Sequence, residues 1–483
     1  MSTVEKMSAV DTAWLRMDRP SNLMQIVGVM IFDGALDEAR LRAAIEQRML
    51  GYARFRQVVS QQNGGYAWCD DPDFDLDHHL RRAVLPGAGG QAELERFVAD
   101  LASTPLNPSR PLWEMHLVDT SIGGQALVTR IHHSIADGIA LVGVLLSMAD
   151  DSPLPLPLPR STRKTARNDE AHDPFWFGIW RPATDAMLNG IRLSTNLWAK
   201  YVGLVANPLQ ALEYSRLGTA IAGEIGKLAL MPDDSPTRFK GKPGTSKRVA
   251  WSAPISLPEV KAVGRVLGCS VNDMLLSAAA GALRGYLADK GDAVEGVEIR
   301  ALVPVNLRRP QDQGQLGNRF GLVALELPVG IENPLARLYA TRDRMLALKD
   351  SMQAPLTLAI LGAVGMAPKI AQAKVLDLLA SKATAVMTNV PGPQQALYVA
   401  GARLRQPLFW VPQSGDIGMG VSILSYDNRV QFGLITDKGL VPDPEQVVAR
   451  FASEFEKLLM LVLMEPWARL NDPQAVEAQL QAG

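Results

Sequence analysis

The sequence predicts an α/β protein built from two sandwich-like units, each a sheet layered with helices. Strand-like and helix-like stretches alternate along most of the chain, the pattern of two-layer α/β folds. A length of 483 residues exceeds one ordinary core and favours two domains of about 150 to 240 residues. Composition also breaks after Asp150, where Pro153, Pro155, Pro157 and Pro159 alternate with leucine. The expected division is an N-terminal domain over 1-150, a Pro-rich and aromatic-rich connector over 151-245, and a C-terminal domain over 246-483.

In the first domain Gln25 to Phe32 reads as a strand and Asp37 to Met49 as an amphipathic helix. Asn63-Gly64 suits a type I′ hairpin turn between Phe55 to Ser60 and Tyr66 to Cys69. The doublet His78-His79 has no Asp-Gly after it and is assigned to a turn or strand edge. Gln91 to Ala102 forms a helix, and Pro111-Leu112-Trp113-Glu114 opens a strand through Val118 that pairs with the next strand across Ser121 to Gly124. Trp113 has two readings, a buried core residue or a tunnel wall. Gln125 to Ile131 has the β-branched content of a strand, and Ile139 to Met148 the apolar content of a buried helix.

Proline lacks the N–H that a ladder or helix needs, so the Pro-Leu run is an extended spacer, followed by a polar run from Arg160 to Asp173. The stretch 175-214 then carries Phe175, Trp176, Phe177, Trp180, Trp198, Tyr201 and Tyr214 among Arg181, Arg192 and Lys200. Helices packed between the domains, or an interfacial helix on a lipid surface, would each account for it. Arg238, Lys240, Lys242, Lys247 and Arg248 form a basic stretch that reads as a solvated loop or a phosphate-attracting one.

A second α/β unit starts at Val249. Leu257 to Leu267 is a helix ended by Gly268, and Ser270 to Asp273 forms a capping box for a helix to about Leu287. Strands are expected at Val297 to Asn306, Gly321 to Leu327 and Thr384 to Asn389, and a hairpin joins Val421 to Tyr426 with Val430 to Thr436 through Asp427-Asn428. Helices at Pro334 to Met352 and Glu445 to Met460 complete the unit.

Hydrophobic residues make up 47% and charged residues 20%, a globular composition. A net charge of -1 supplies no field to draw in nucleic acid. Cys69 and Cys269 lack a CxxC partner, so no disulfide framework or zinc knuckle is indicated and a reducing compartment is expected. The N-terminus shows neither a basic nor an apolar signal region. Leu356 to Ala367 and Leu458 to Met464 are too short to span a membrane. The expected location is the cytoplasm, with peripheral contact to the inner membrane face or lipid inclusions left open.

Chemistry concentrates in the strand-to-helix turn His132-His133-Ser134-Ile135-Ala136-Asp137-Gly138. Histidine titrates nearest neutrality, and a following carboxylate fixes its tautomer and orientation, as a general base requires. Gly138 lets backbone or ligand come close. Asp137 also stands where a helix N-cap belongs, and the two roles are compatible. Asn272, at a rigid helix start, offers an amide donor to a developing oxyanion if the fold brings it opposite His133.

The heptapeptide resembles the HHxxxDG signature of the CoA-dependent acyltransferase superfamily, which shares the chloramphenicol acetyltransferase-like fold. More narrowly, the chain resembles the bacterial wax ester synthase/diacylglycerol acyltransferases. The further blocks are PLWE at Pro111 to Glu114, ND at Asn272-Asp273, VPVNLR at Val303 to Arg308, GNRFG at Gly317 to Gly321 and NVPGP at Asn389 to Pro393, in the family's order. HHxxxDG alone is shared with peptide-forming condensation domains, and the ordered set narrows it.

The resemblance implies two α/β sandwich domains facing across a central tunnel with the histidines at its centre. It implies His133 as base, with His132 and Gly138 in the same motif, Asp137 holding the geometry and Asn272 on the oxyanion. Pro111, Leu112, Trp113 and Asp273 are the expected tunnel residues. It implies acyl-CoA as co-substrate, diacylglycerol or a fatty alcohol as acceptor, and no metal or permanently bound cofactor. There is no GxSxG elbow and neither cysteine is near the histidines in sequence, so a ternary complex is expected rather than an acyl-enzyme. Three alternatives stay open: a condensation-type enzyme using carrier-bound acyl groups, a metal-dependent hydrolase using His132, His133 and Asp137, and a non-catalytic coat of lipid inclusions.

Overall fold

The computed structural model describes residues 4–62, 65–154, 232–307, 316–318, 320–349 and 381–464, with residues 357, 378 and 478. The Asn63-Gly64 turn, most of the connector including its aromatic residues, Arg308, the stretch Leu356 to Ala367 apart from Thr357, and the end of the helix begun at Pro334 lie outside the described residues.

In chain order the elements are β1 (Val4–Lys6), α1 (Ala9–Met17), β2 (Gln25–Asp33), α2 (Glu38–Ala44), β3 (Gln57–Gln62), β4 (Gly65–Asp70), β5 (Leu80–Val84), α3 (Gln91–Ala102), β6 (Trp113–Thr120), β7 (Gly124–His132) and α4 (Gly138–Ser147). The second half holds β8 (Lys247–Trp251), β9 (Ile255–Ser256), α5 (Leu257–Val266), α6 (Val271–Asp289), β10 (Ile299–Asn306), β11 (Phe320–Leu327), α7 (Pro334–Lys349), β12 (Ala385–Pro391), β13 (Tyr398–Val399), β14 (Ala402–Trp410), β15 (Met419–Tyr426), β16 (Arg429–Asp437) and α8 (Glu445–Met464).

Local chemistry explains many of these boundaries. The Asp37 carboxylate accepts from the Arg40 N–H and caps α2, whose expected continuation to Met49 is a π-helical turn over Ile45–Met49. Gly268, at φ +65°, closes α5. Ser270 and Asp273 then cap α6 reciprocally. Asp427 and Asn428 have φ of 48° and 57°, as a type I′ turn between β15 and β16 requires.

One six-stranded sheet runs β13-β14-β2-β7-β6-β5, antiparallel except for β5 on β6. A second runs β11-β10-β12-β15-β16-β8, with β9 beside β16, and β1-β4-β3 form a third, three-stranded sheet. β13 and β14 come from the C-terminal half yet belong to the first sheet, so that sheet takes strands from both the 1-150 and the 246-483 stretches. β14 was unassigned in the sequence because Pro407 interrupts it. β13 covers only Ala402 and Arg403 of β14, so Pro407 lies along an open sheet edge, where a missing N–H is tolerated.

A separate core fills each lobe, one around Phe55, Trp68, Trp113 and Leu127, the other around Leu275, Ala279, Phe432 and Phe451. A third apolar cluster joins them: Val29, Leu94 and Val98 meet Val249, Trp251, Leu408 and Trp410. Here α3 lies against β8, with the Gln91 amide donating to the Trp251 carbonyl (2.9 Å) and the Trp251 N–H donating to Glu95 (3.1 Å). At the other end of α3, Arg130 and Gln25 donate to the carbonyls of Leu101 and Thr104, placing donors and a cation where the helix dipole is negative.

Tyr426 fastens the donated strand. Its hydroxyl accepts from the Leu397 N–H (2.7 Å) and donates to the Leu404 carbonyl (3.0 Å). Tyr426→Phe leaves both backbone groups buried without that partner, so it should destabilise the protein by about 1–3 kcal/mol. An unchanged urea midpoint at unchanged m-value would show that the hydroxyl does not hold β13 and β14 in place.

Candidate active site

Strand β7 carries the histidine turn to the seam between the lobes. The His132 N–H donates to the Leu112 carbonyl (2.9 Å) and the His133 N–H to the Met24 carbonyl (2.7 Å), so both neighbouring segments hold the doublet. The Ile135 N–H then returns to the His132 carbonyl (3.0 Å). Asp137 caps α4 by accepting from the Ala140 N–H (3.0 Å). A Cβ on Gly138 would sit 3.1 Å from Val411, a residue of the C-terminal half, so the glycine permits close approach across the seam.

The two rings differ. His132 Nδ1 receives the Ser134 N–H (3.1 Å) and lies 2.8 Å from the Ser134 hydroxyl. An acceptor at Nδ1 leaves the neutral ring's proton on Nε2, so His132 has no basic nitrogen left to offer. His133 is buried, its ring stacked on Trp14 (4.1 Å between centroids) and tilted against Phe320 (5.5 Å). Trp14 belongs to α1 and Phe320 to β11, so the ring is held between elements of both lobes. Burial lowers the pKa of His132 to about 3, aided by repulsion from His133. Burial likewise lowers His133 to about 4, while the Asp137 charge, its own carbonyl and the Asn318 side chain act to raise it. Both rings are neutral at neutral pH.

A short segment of the C-terminal half closes over this turn. The Gly317 carbonyl faces the Asp137 N–H at 3.5 Å. The Asn318 amide donates to the His133 carbonyl (2.9 Å) and to the Asp11 carboxylate (2.8 Å). Asp11, Trp14, Asn318 and Phe320 were given no role in the sequence reading. Asn318 and Phe320 lie within the GNRFG block, which was the one available signal.

Asn272 stands in the first turn of α6, where its Oδ1 accepts from Asn389 (2.7 Å). That contact joins the ND and NVPGP blocks and, in this orientation, leaves the Asn272 nitrogen as the end that can donate. Among the described residues no hydrogen bond links Asn272 to either histidine. Asp273 is taken up by the capping box, accepting from the Ser270 N–H and hydroxyl (2.8 and 2.7 Å).

A cavity of about 560 Å³ opens beside the doublet, lined by Leu15, Leu23, Val59, Tyr66, Leu106, Leu112 and His132, with Asp18, Gln25 and Gln61 as polar groups. Of the expected tunnel residues Leu112 lines it and Pro111, Trp113 and Asp273 do not. The expectation for Trp113 is corrected: it is fully buried, its indole donates to the Phe55 carbonyl (2.9 Å), and it stacks on His79 (4.4 Å). His79 is a core residue bonded to the Trp113 carbonyl (2.7 Å). The basic stretch is partly neutralised, with Arg238 on Asp292, Lys240 on Asp234 and Lys247 beside Asp437. No group of three or more His, Cys, Asp or Glu able to hold a metal occurs among the described residues.

Two lobes meeting over a buried histidine turn beside an apolar cavity define an acyltransferase of the two-lobed α/β kind. The wax ester synthase/diacylglycerol acyltransferase catalytic domain model matches residues 7–275, and the C-terminal domain model of the same family matches 316–459. The chain belongs to that family, an enzyme of triacylglycerol and wax ester synthesis. Two Mycobacterium tuberculosis proteins named for diacylglycerol O-acyltransferase activity are similar over nearly the whole chain. One is 26% identical over 479 residues (95% of this chain, 91% of the relative), the other 27% over 480 (94% and 96%). Among solved structures, the wax ester synthase/diacylglycerol acyltransferase of Marinobacter aquaeolei superposes with a TM-score of 0.67 at 22% identity, over 94% of this chain and 99% of that one. The starter condensation domain of rhizomide synthetase gives 0.57 at 13%, over 95% and 94%. These two likenesses concern the fold alone.

The histidine pKa values set a pH dependence of stability. His132, His133 and His116, the last also lowered to about 4 by burial, lie below the ordinary value of 6.5. Their contribution is complete above about pH 6.5 and is lost as pH falls toward 4, because the unfolded chain takes up protons first. Asp11, raised by burial, acts in the opposite sense. Unfolding midpoints should therefore fall between pH 6.5 and 4, and fall less in His132→Asn, whose amide oxygen can still take the Ser134 N–H. Equal slopes in the two proteins would show that His132 is not a buried neutral ring.

Proposed function

We propose that the chain transfers a long acyl group from acyl-CoA to the hydroxyl of diacylglycerol or of a long-chain fatty alcohol, within a ternary complex and with His133 as general base. The observation that carries this reading is the His133 ring held between elements of both lobes, together with a largely apolar cavity that reaches the adjacent residue, His132. His132 is committed to Ser134, which leaves His133 as the ring with a basic nitrogen to offer.

An alcohol is a weak nucleophile. His133 takes its proton as the oxygen attacks the thioester carbonyl, a contribution of roughly a hundredfold to ten-thousandfold. The tetrahedral intermediate carries its charge on the former carbonyl oxygen, for which Asn272 is the proposed donor. Collapse breaks the C–S bond, and the thiolate leaves with the proton that His133 holds. Ester and free CoA account for every atom of the two substrates. No permanently bound cofactor enters this reaction. At about 560 Å³ the cavity falls in the usual range for small-molecule sites and has the apolar lining an acyl or alkyl chain needs. The proposed setting is the cytoplasm, with peripheral contact to the inner membrane face or lipid inclusions through which both lipids are delivered.

His133→Ala should lower ester formation from labelled palmitoyl-CoA and hexadecanol, or diacylglycerol, by roughly a hundredfold or more. Retention of full product formation by that variant would overturn the reading. With acyl-CoA alone the enzyme should release no stoichiometric burst of CoA, and such a burst would point to an acyl-enzyme instead. Leu106→Trp, which narrows the cavity, should move the preference toward shorter chains in a competition of C8 to C18 substrates.

A further inference from the structure

We propose that Asn318, backed by Asp11, is a positioning residue for the reaction: its amide oxygen accepts the Nδ1 proton of His133, so that Nε2 is the basic atom. This rests on the reading of His133 as the base.

The amide's orientation is determined. Its nitrogen donates to two oxygens, the Asp11 carboxylate at 2.8 Å and the His133 main-chain carbonyl at 2.9 Å. The reversed amide would place oxygen against oxygen at both contacts. The Asn318 oxygen is therefore directed away from these partners. That oxygen is buried without a hydrogen-bond partner, and so is His133 Nδ1. An orphaned acceptor and an orphaned ring nitrogen on two residues already bonded to each other are most simply satisfied by pairing, since a buried polar atom left alone is costly. After the Asp137 charge and the ring's own main-chain carbonyl, the Asn318 side chain acts on the ring in the sense expected of an acceptor, favouring its protonated form; the carbonyl is itself occupied by the Asn318 amide nitrogen.

Asp11 supplies the reason for an asparagine here. A carboxylate accepting one amide hydrogen prevents the flip that would turn the nitrogen toward the ring and force the proton onto Nε2. Asp11 comes from α1 and Asn318 from the segment before β11, so a correct tautomer depends on the two lobes being docked. Asp137 caps α4 and its charge also favours the protonated ring, so the two residues cooperate.

The test uses the full chain with acyl-CoA and hexadecanol. Asn318→Leu, close in volume and without an acceptor, should lower kcat roughly hundredfold with little change in either KM. Spectra of ¹⁵N-histidine-labelled protein should show the Nδ1–H form of His133 in the parent and its loss in this variant. Asn318→Asp keeps an acceptor and adds charge, so it should retain more of kcat than Asn318→Leu. It should also move the acid limb of kcat/KM to higher pH, because a carboxylate facing the ring favours the imidazolium. The other charged or titratable groups around the ring are Asp137 and His132 on its own turn and Asp11 on α1, on which Arg54 acts. All stay unchanged in these variants. Should Asn318→Leu not fold, the exchange Asp11→Asn with Asn318→Asp keeps one amide facing one carboxylate and should recover activity lost in Asn318→Asp alone. Parental kcat in Asn318→Leu, an unshifted acid limb in Asn318→Asp, or no recovery in the exchange would each overturn the proposal. His133→Ala run in parallel separates the two ideas: an inactive His133→Ala beside a fully active Asn318→Leu removes only the positioning role, whereas an active His133→Ala removes the base itself.

Discussion

The structure depends on the pairing of β14 with β2, through which the C-terminal half completes the N-terminal sheet. Arg403 to Trp410 lies antiparallel to Asp33 to Val27, with a bulge at Arg405 between Leu404 and Gln406. The register demands Gly28: a Cβ there would stand 2.6 Å from the Phe409 ring and 2.7 Å from the Thr129 hydroxyl. Because β2 is also the partner of β7, the strand that ends at His132, the same pairing fixes the histidine turn relative to the C-terminal half. Two lobes joined only by a connector would be free to move apart. Sharing a strand removes that freedom and makes contacts across the seam, such as Asn318 to His133, part of the fold.

The seam is rich in polar groups for a buried surface. Lys247 bonds Asn22 (2.8 Å) near Asp437, and burial brings its ammonium down to about 8 against the pull of that carboxylate. Asn22 in turn donates to the Gly415 and Ile417 carbonyls. Asp11 and Asn318 form a second such group against His133. Apolar contacts such as Trp251 with Trp410 hold the lobes together without direction. Hydrogen-bonded groups add direction, because a shift that breaks them strands buried polar atoms. The polar pairs therefore fix the register of the seam more than they add to its strength.

Much of this was legible in the sequence where the cause is local. The turn at Asp427-Asn428 was readable because left-handed backbone selects those residues, and the box at Ser270 and Asp273 because its partners are three positions apart. The strand-turn-helix around His133 was readable for the same reason. What escaped was long-range. Pro407 hid β14, since nothing nearby shows that the proline would lie on an open edge. Asn318 stood inside a quoted block, yet its partners are 185 and 307 positions away. Trp113 looked like a candidate wall because its strand was expected to pair with the histidine strand, which says nothing about which face of the sheet the ring takes. Its acceptor, the Phe55 carbonyl, lies 58 positions back.

A pKa near 4 looks poorly matched to an alcohol proton in the base proposed here, since catalytic bases work best when tuned toward the ambient pH. The proposed chemistry gives the burial a purpose. Water is the competing nucleophile for a thioester, and a ring packed between Trp14 and Phe320 stands where bulk water is excluded. Removing water from the ring necessarily weakens it as a base, because the imidazolium loses its hydration. The Asp137 charge, the His133 carbonyl and the Asn318 side chain oppose that loss, and each acts more strongly on the protonated ring, formed once the alcohol has given up its proton, than on the neutral one. Such groups favour the state reached during the reaction over the resting one, which is the condition for a contact to accelerate the step rather than merely stabilise the fold. Dryness and basicity are thus met by different atoms at the same seam, and neither is met by one lobe alone.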